Sequence, residues 1–156
     1  MQSSNQFEQR QAEVVRRNET PFAALTLTRS ATLAITTAGT VITWQTQTRG
    51  LGISWATTDI TIPTSGFYTL QIAFQTAAAV TMFTQIVLNT VNLGYVGSTW
   101  VASTYHVATH TRHFATGDVI QVRALPSANT TINVNAEGVA APSPYVHIVQ
   151  LTAAVP

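Results

Sequence analysis

The segment ITIPTSGFYTLQIAFQ, residues 60–75, constrains the fold more than any other part of the chain. Pro63 has a fixed φ and no N–H for a sheet, and Ser65-Gly66 supplies a turn, so the segment predicts a strand, a turn and a second strand. Side chains of the second strand alternate between two faces. We therefore expect a core beneath one face, with Tyr68, Leu70, Ile72 and Phe74 buried and with Thr69, Gln71, Ala73 and Gln75 pointing away from it.

The chain carries very few charges for its size. Its 156 residues are 46% apolar and only 8% charged, and none is lysine, whereas a typical domain is about 25% charged. The net charge of +1 argues against a nucleic-acid partner. The longest uncharged runs are too rich in Thr, Gln, Asn and Gly for a membrane helix, so no membrane partner is expected. Because the charges are too few to cover a monomer, we expect the surface to meet other copies of the chain.

The first twenty residues differ in composition from the rest. They lack the apolar segment of a secretory signal. One face of a short helix that Thr20-Pro21 would end carries Phe7, Gln11, Val14 and Val15. The pattern is compatible with an arm that docks on a partner and equally with a disordered tail. The charged side chains in this segment are Glu8, Arg10, Glu13, Arg16, Arg17 and Glu19.

After Pro21, helical periodicity gives way to short strands between turn residues, which is typical of a sandwich or barrel. We predict eight or more strands in a single β-domain, residues 21–156, preceded by the arm, residues 1–20. Gly50-Leu51-Gly52 and the stretch from Asn89 to Asn92 are expected to separate strands. The candidates in order are PFAALTLTRS, TLAIT, TVITWQTQT, ISWAT, residues 60–75, TMFTQIVLNT, LGYVG, residues 100–114 as the longest, VIQVRAL, TINV and YVHIVQL.

This succession of strands resembles the C-terminal half of the C1q/tumour-necrosis-factor jelly-roll superfamily. The similarity covers about residues 60–151 and is carried by SGFYTLQIAF, FTQIVLN, HFATGDVIQVRAL, TINV and PYVHIVQL, with Gly66-Phe67-Tyr68 and Gly117-Asp118 as the most family-like steps. The resemblance implies an all-β, antiparallel two-sheet jelly-roll sandwich of ten strands, which forms a compact homotrimer around apolar and aromatic residues. Bacteriophages use similar modules as capsid decoration proteins and as knobs on head or tail fibres. Candidate anchors of the core or the trimer are Tyr68, Leu70, Ile72 and Phe74.

The four histidines do not have the spacing of a metal site. His106, His110 and His113 lie in one candidate strand, but His106 and His110 are about 13 Å apart along it and His113 faces the other way. The chain has no cysteine to supply a thiolate, and we expect neither a bound metal nor a cofactor. An ion could be held only if one histidine from each of several subunits met on a symmetry axis, for which His106, His110 and His147 are the candidates.

Catalysis requires acids and bases that the β-domain hardly contains. After Pro21 the only carboxylates are Asp59, Asp118 and Glu137. Asp118 follows a glycine in a turn, where we expect it to bond nearby backbone N–H groups. No GxSxG, HExxH, Walker A or GxGxxG pattern occurs, and residues 94–97 are predicted to form a loop and not a phosphate cradle. We therefore predict that the protein is not an enzyme.

These observations lead to one main hypothesis and two alternatives. The main hypothesis is a bacteriophage capsid decoration (cement) protein on the virion surface, a homotrimer that holds the major capsid protein by avidity. The first alternative is a receptor-binding knob of a phage head or tail fibre, although twenty residues before the β-domain are too few for a fibre shaft. A secreted cytokine-like ligand comes third, because the chain lacks the signal peptide, collagen stalk and cysteines of animal members. The capsid-binding residues would be Phe7, Arg10, Val14, Val15, Arg16 and Arg17, whereas a knob would use loop tips and aromatic residues such as Trp44, Trp55 and Trp100.

Overall fold

The computed structural model describes residues 22–134 and 144–153. Within these ranges the chain forms eleven strands and no helix, and therefore no helix that is long and apolar enough to cross a membrane. The strands are β1 (Ala24–Thr28), β2 (Leu33–Ile35), β3 (Thr40–Val41), β4 (Thr46–Leu51), β5 (Ser54–Ala56), β6 (Asp59–Thr61), β7 (Gly66–Leu88), β8 (Val91–Phe114), β9 (Val119–Pro126), β10 (Thr130–Asn133) and β11 (Tyr145–Ala153).

The strands form two antiparallel layers packed face to face. Sheet I contains, in spatial order, β4, β1, β11, the first half of β7 and the second half of β8. Sheet II contains β5, β6, β9, the second half of β7 and the first half of β8. β3 also pairs with β9, and β10 links β2 to β7 where β7 changes sheet. This architecture confirms the predicted all-β jelly-roll sandwich.

β7 and β8 form one long hairpin that passes through both sheets. β7 pairs with β11 over residues 66–73 and with β9 over residues 82–88, so its two halves belong to opposite sheets. The change of sheet coincides with a register shift, where residues 76–79 of β7 lie opposite the single residue Thr104 of β8. Extra residues in one strand of a pair bend it and increase its twist, which explains how the hairpin turns the corner.

Several predicted strand breaks in this hairpin are wrong. Residues 66–88 are one strand, although the sequence predicts a separate strand at TMFTQIVLNT, and residues 94–97 lie in β8 and not in a loop. The predicted break from Asn89 to Asn92 is only a two-residue turn, because β8 already begins at Val91 and not at residue 100. The bulges and Gly94, at φ 89°, interrupt the side-chain alternation while the backbone pairing continues.

Two expectations about the early strands are also wrong. TVITWQTQT is not one strand but contributes to β3 and β4, and Gly50-Leu51 is part of β4 and not a break. Between these strands the chain passes from sheet II to sheet I, and its backbone makes isolated hydrogen bonds in place of a strand ladder. The N–H of Trp44 donates to the carbonyl of Thr57 at 2.6 Å, and the N–H of Gln45 donates to the carbonyl of Thr28 at 3.0 Å. A change of sheet leaves little trace in a pattern of apolar residues.

The core lies between the two sheets. Tyr68, Leu70, Ile72 and Phe74 of β7 are at most 1% exposed and face apolar side chains of sheet II. The Tyr68 ring lies edge-on to Phe114, with ring centroids 6.1 Å apart, and its hydroxyl donates to the carbonyl of Thr64 at 2.7 Å. Each such side chain contributes roughly 1.5–3 kcal/mol when fully buried, so this inner face of β7 is central to the stability of the domain.

The turn between β8 and β9 fixes the end of the hairpin. The Asp118 carboxylate accepts the N–H of Ala115 at 2.8 Å, as the sequence predicts, and also accepts the side-chain N–H of Asn89 at 2.7 Å. Asn89 in turn accepts the N–H of Val119 at 2.8 Å. These bonds tie the β7–β8 turn to the β8–β9 turn, so the Asp118 carboxylate has a structural role.

Candidate assembly surface

The outer face of sheet I exposes large apolar side chains. Phe67, Tyr105, Val107 and Leu151 are each between 47% and 50% exposed, although they lie in the middle or at the end of paired strands. They occupy positions that alternate with core residues, so the same strands that build the interior also place these side chains outside. We call the outward side chains of β1, β4, β11, residues 66–75 and residues 105–113 the sheet I face.

One end of the sheet I face is aromatic and aliphatic. Ala73 of β7 pairs with Val107 of β8 on one side and with Tyr145 of β11 on the other. These larger neighbours cover it so well that Ala73 is only 1% exposed although it points away from the core. Tyr105 lies two residues before Val107 on β8, opposite Gln75. Burial, and to a lesser extent the charge of Tyr105, raises the pKa of the Tyr145 hydroxyl. The result is an apolar patch in which Tyr105 and Val107 remain about half exposed.

The opposite end of the face carries a second apolar cluster. The ring of Phe67 lies edge-on to the imidazole of His113 on the neighbouring strand, with ring centroids 5.4 Å apart. Leu151 sits at a register shift in β11, where the strand bulges next to Phe67. Aromatic pairs across strands stabilise a sheet, but here half of the Phe67 surface stays in contact with solvent.

Between the two clusters the face is polar and concave. The hydroxyls of Thr69 and Thr111 are 2.8 Å apart, and that of Thr26 is 2.7 Å from Nδ1 of His147. A depression of about 460 Å³ opens beside this histidine. All side chains that line it are uncharged residues or histidine: Thr26, Thr28, Thr48, Gln71, Tyr145 and His147.

Gln71 and Tyr145 are among the lining side chains that have no hydrogen-bond partner within the part of the chain that the structure describes. No hydrogen bond there reaches the amide of Gln71 or the hydroxyl of Tyr145. Polar groups that are covered in a complex must be hydrogen-bonded to avoid a cost of roughly 1–3 kcal/mol each. The Gln71 amide and the Tyr145 hydroxyl are therefore available to a partner that brings complementary donors and acceptors.

No carboxylate lies on the described part of the sheet I face. Asp59 belongs to β6 in sheet II, where Gln121 donates to it at 2.6 Å and Thr58 at 2.7 Å; these bonds hold the pKa of its carboxyl below the usual value. Asp118 lies in the β8–β9 turn. Among the described outward side chains, the only formal charge is Arg49 of β4, opposite Thr26 of β1. Arg112 of β8 lies in the inward register, opposite Tyr68.

The strand order and the hairpin that both sheets share allow the fold to be identified by comparison with known structures. The fold is the C1q/tumour-necrosis-factor jelly roll. Murine APRIL at pH 5.0 superposes with a TM-score of 0.58 at 20% identity, covering 84% of this chain and 100% of that chain. Eiger TNF from S. frugiperda gives 0.56 at 13% identity, with 87% and 96% covered, and the globular domain of zebrafish complement 1qA gives 0.54 at 10%, with 85% and 99% covered. No family model and no curated protein matches the sequence.

At these identities the comparison concerns the C1q/tumour-necrosis-factor fold alone. The predicted capsid-binding residues fall outside the described residues, so the arm stays a prediction. The candidate anchors Tyr68, Leu70, Ile72 and Phe74 are interior to a single subunit, on the side of β7 away from the sheet I face. The apolar residues of the face, Phe67, Tyr105, Val107 and Leu151, were not among the site residues predicted from the sequence, although the alternation around Tyr68 already places Phe67 outside.

The histidines divide between the two sides of sheet I. His106 is 2% exposed, lies 3.1 Å from the Thr76 hydroxyl through Nε2, and has a pKa lowered by burial. His110 shares that inner side, and burial followed by the charge of Arg112 lowers its pKa. His113 and His147 lie on the sheet I face. In residues 22–134 and 144–153, no group of three or more histidines and carboxylates is placed to hold a metal.

The tryptophans of the described chain are not arranged as a sugar platform. Trp44 is 2% exposed and belongs to the core. Trp55 packs partly against that core, and its indole N–H donates to Gln47 at 2.9 Å. The side chain of Trp100 lies outside the description.

Proposed function

We propose that this protein is a non-enzymatic, homotrimeric jelly-roll module whose subunits meet through the sheet I face. The single observation that carries the proposal is the exposure of Phe67, Tyr105, Val107 and Leu151 on one face of a chain with only 8% charged residues. Large apolar side chains that are exposed together on one face mark a site of association. The C1q/tumour-necrosis-factor fold supports a trimer as the form that the association takes.

The size of the sheet I face suits such a contact. Ten residues of β7 at about 3.3 Å each and four strand spacings of about 4.8 Å give a flat area of roughly 600 Å². A standard interface takes about 800 Å² of accessible surface from each partner. Because side chains project from the sheet, the accessible surface of a face is larger than its flat area. The open hydrogen-bonding groups of Gln71 and Tyr145 can then give the contact its register.

Solution mass tests the trimer directly. Light scattering should give three times 16.8 kDa at micromolar concentration. A protein that stays monomeric at tens of micromolar would contradict the proposal, because the exposed clusters would then lack the partner that accounts for them.

We further propose that the trimer is a bacteriophage capsid decoration protein, located on the virion surface and bound to the major capsid protein by residues 1–20. The support is the concentration of charge in these residues, ahead of a β-domain that is almost free of charge. Surface ion pairs are worth less than about 1 kcal/mol each, so Phe7, Val14 and Val15 would supply most of each contact. Three linked arms would hold firmly because the second and third contacts are intramolecular.

Deletion of residues 2–19 separates attachment from assembly. The truncated protein should keep its trimer mass and melting temperature but lose binding to capsids stripped of the protein. As a matched pair, Phe7, Val14 and Val15 changed to serine should weaken attachment strongly, whereas Arg10, Arg16 and Arg17 changed to glutamine should weaken it less and in a salt-dependent way. If the truncated trimer still decorates at normal occupancy, attachment lies in the β-domain and the fibre-knob alternative is favoured.

A further inference from the structure

We infer that the sheet I face is a proton-responsive interface, so that mild acid dissociates the assembled protein while each subunit stays folded. The inference rests on the proposed trimer. It follows from the placement of two histidines, His147 and His113, on a face whose described residues include no carboxylate. Histidine is the side chain that ordinarily changes charge between about pH 5 and pH 8.

His147 occupies the centre of the face, inside the concave site. Its Nδ1 is 2.7 Å from the Thr26 hydroxyl, which can donate to a neutral ring or accept from a charged one. The elements around it are β1, β4, β7 and its own strand. β1 and β7 bring only Thr26, Thr28 and Gln71, β11 brings Tyr145, and β4 brings Arg49 opposite Thr26. Among the described residues, the only charged side chain on these elements beside His147 is thus another cation, Arg49.

His113 stands at the end of the face. Its ring contacts Phe67 of β7. Its own strand carries two ionisable neighbours, His110 and Arg112. Both lie in the inward register, opposite Leu70 and Tyr68 of β7. On the far side of Phe67, β11 pairs through Thr152, which is not ionisable. No group that faces His113 from these strands can neutralise a protonated imidazole.

A second copy of the described chain brings no free carboxylate either. Its two, Asp59 and Asp118, are already bonded to Gln121 and Asn89. Asp59 belongs to β6 of sheet II, and the Asp118 carboxylate also accepts the N–H of Ala115 in the β8–β9 turn. Strand β8 has no acidic residue over its whole length. A neutral imidazole can be covered at little cost, whereas a charged one that loses water without gaining an anion is strongly disfavoured.

The direction of the effect follows from linkage. If only the neutral form of His147 fits between subunits, the separated subunits bind more protons than the trimer, and acid favours separation. Three copies of His147 would release three protons on assembly, so the association constant should fall about a thousandfold for each pH unit within the titration range. His113 adds to this slope if it is covered as well.

The test is the mass of the full chain at pH 7.5 and pH 5.0, with far-ultraviolet circular dichroism and tryptophan fluorescence recorded on the same samples. We expect a trimer at pH 7.5 and a folded, smaller species at pH 5.0. The double variant His147→Gln, His113→Gln keeps hydrogen-bonding groups but cannot be charged, so it should stay trimeric at both values. His147→Arg carries a permanent charge and should fail to assemble even at pH 7.5.

Each other outcome is decisive. A wild-type trimer that persists at pH 5.0, or a double variant that dissociates like the wild type, overturns the inference and leaves the proposed function standing. Loss of the folded signal before the trimer separates assigns the acid response to the interior histidines and also overturns it. A protein that is monomeric at pH 7.5 overturns the proposed trimer and the inference together.

Discussion

The most direct test of the assembly surface is to place a charge on it. Val107 lies on β8 beside Ala73 and is 47% exposed. Arginine at this position can extend into solvent in a free subunit, so Val107→Arg should change the stability of the monomer by no more than about 1 kcal/mol. In the trimer the same guanidinium would be covered, with Arg49 as the only formal charge on the described face.

The magnitude follows from what the partner would cover. Full burial of valine is worth roughly 1.5–3 kcal/mol, so covering the exposed half contributes about 1 kcal/mol per copy. An unpaired buried cation costs several kcal/mol more, and each 1.4 kcal/mol is about tenfold in affinity. Val107→Arg should therefore weaken each subunit contact by at least a hundredfold and abolish the trimer at micromolar concentration.

The same strand supplies a matched control. Val91 begins β8, is 62% exposed and belongs to the sheet II half of the hairpin, beside the Asn89-Thr90 turn. Val91→Arg adds the same charge to the same strand away from the sheet I face, and it should leave the trimer intact. Analytical ultracentrifugation of the two variants at equal concentration decides the matter. If Val107→Arg sediments as a trimer, the sheet I face is not the contact between subunits.

Three further predictions concern the folded domain. Phe74→Ala should cost about 3–5 kcal/mol in denaturant unfolding because Phe74 is 1% exposed, whereas Thr69→Ala on the outer side should cost much less; equal losses would contradict the assignment of faces. Thr90 has φ 72° in the β7–β8 turn, a conformation that costs a residue with a Cβ roughly 1–2 kcal/mol, so Thr90→Gly should raise the melting temperature, and a lowered one would contradict the strain. Burial lowers the pKa of His106 below its ordinary 6.5, so the unfolded chain binds that proton more readily. Stability should be intact above pH 6.5 and decline as the pH falls below it. The His106→Gln variant should lose less stability over this range than the wild type. If both lose the same amount, another group causes the decline.

The strands that the sequence predicts well are those whose alternation is unbroken. β9 and β11 follow VIQVRAL and YVHIVQL closely, since each stays in one sheet and buries every second side chain, and β10 follows TINV with Ile132 as its buried residue. The β7–β8 hairpin was predicted in pieces because its bulges are decided by pairing with distant strands, which the local pattern does not contain. All six residues of β4 are exposed, so its bonds to β1 leave no hydrophobic signal at all.

The assembly surface could not be predicted from the sequence for a related reason. Alternation shows that the two sides of β7 differ, and it places Tyr68 inside and Phe67 outside. It does not show that Tyr105, Val107 and Leu151, from strands far apart in the sequence, join Phe67 on one continuous face. That requires the register of β7 with β8 and β11, which is a property of the folded chain. The low charge content was the one feature of the sequence that pointed to such a face.

The two outer faces of the sandwich differ in how far the chain completes them. On sheet II, Gln121 donates to Asp59 at 2.6 Å and Arg123 donates to the carbonyl of Ala38 at 2.5 Å, while the paired side chains of Phe83 and Leu125 are partly buried. These polar groups are thus satisfied within one subunit.

On the sheet I face, by contrast, apolar side chains are exposed and polar groups lack partners within the described chain. Phe67, Tyr105 and Val107 are about half exposed, and the amide of Gln71 and the hydroxyl of Tyr145 find no partner among the described residues. Both sheets obey the same alternation and share the same core, so stability of the monomer does not account for the difference. A second copy that covers the apolar clusters and bonds to the polar centre does account for it.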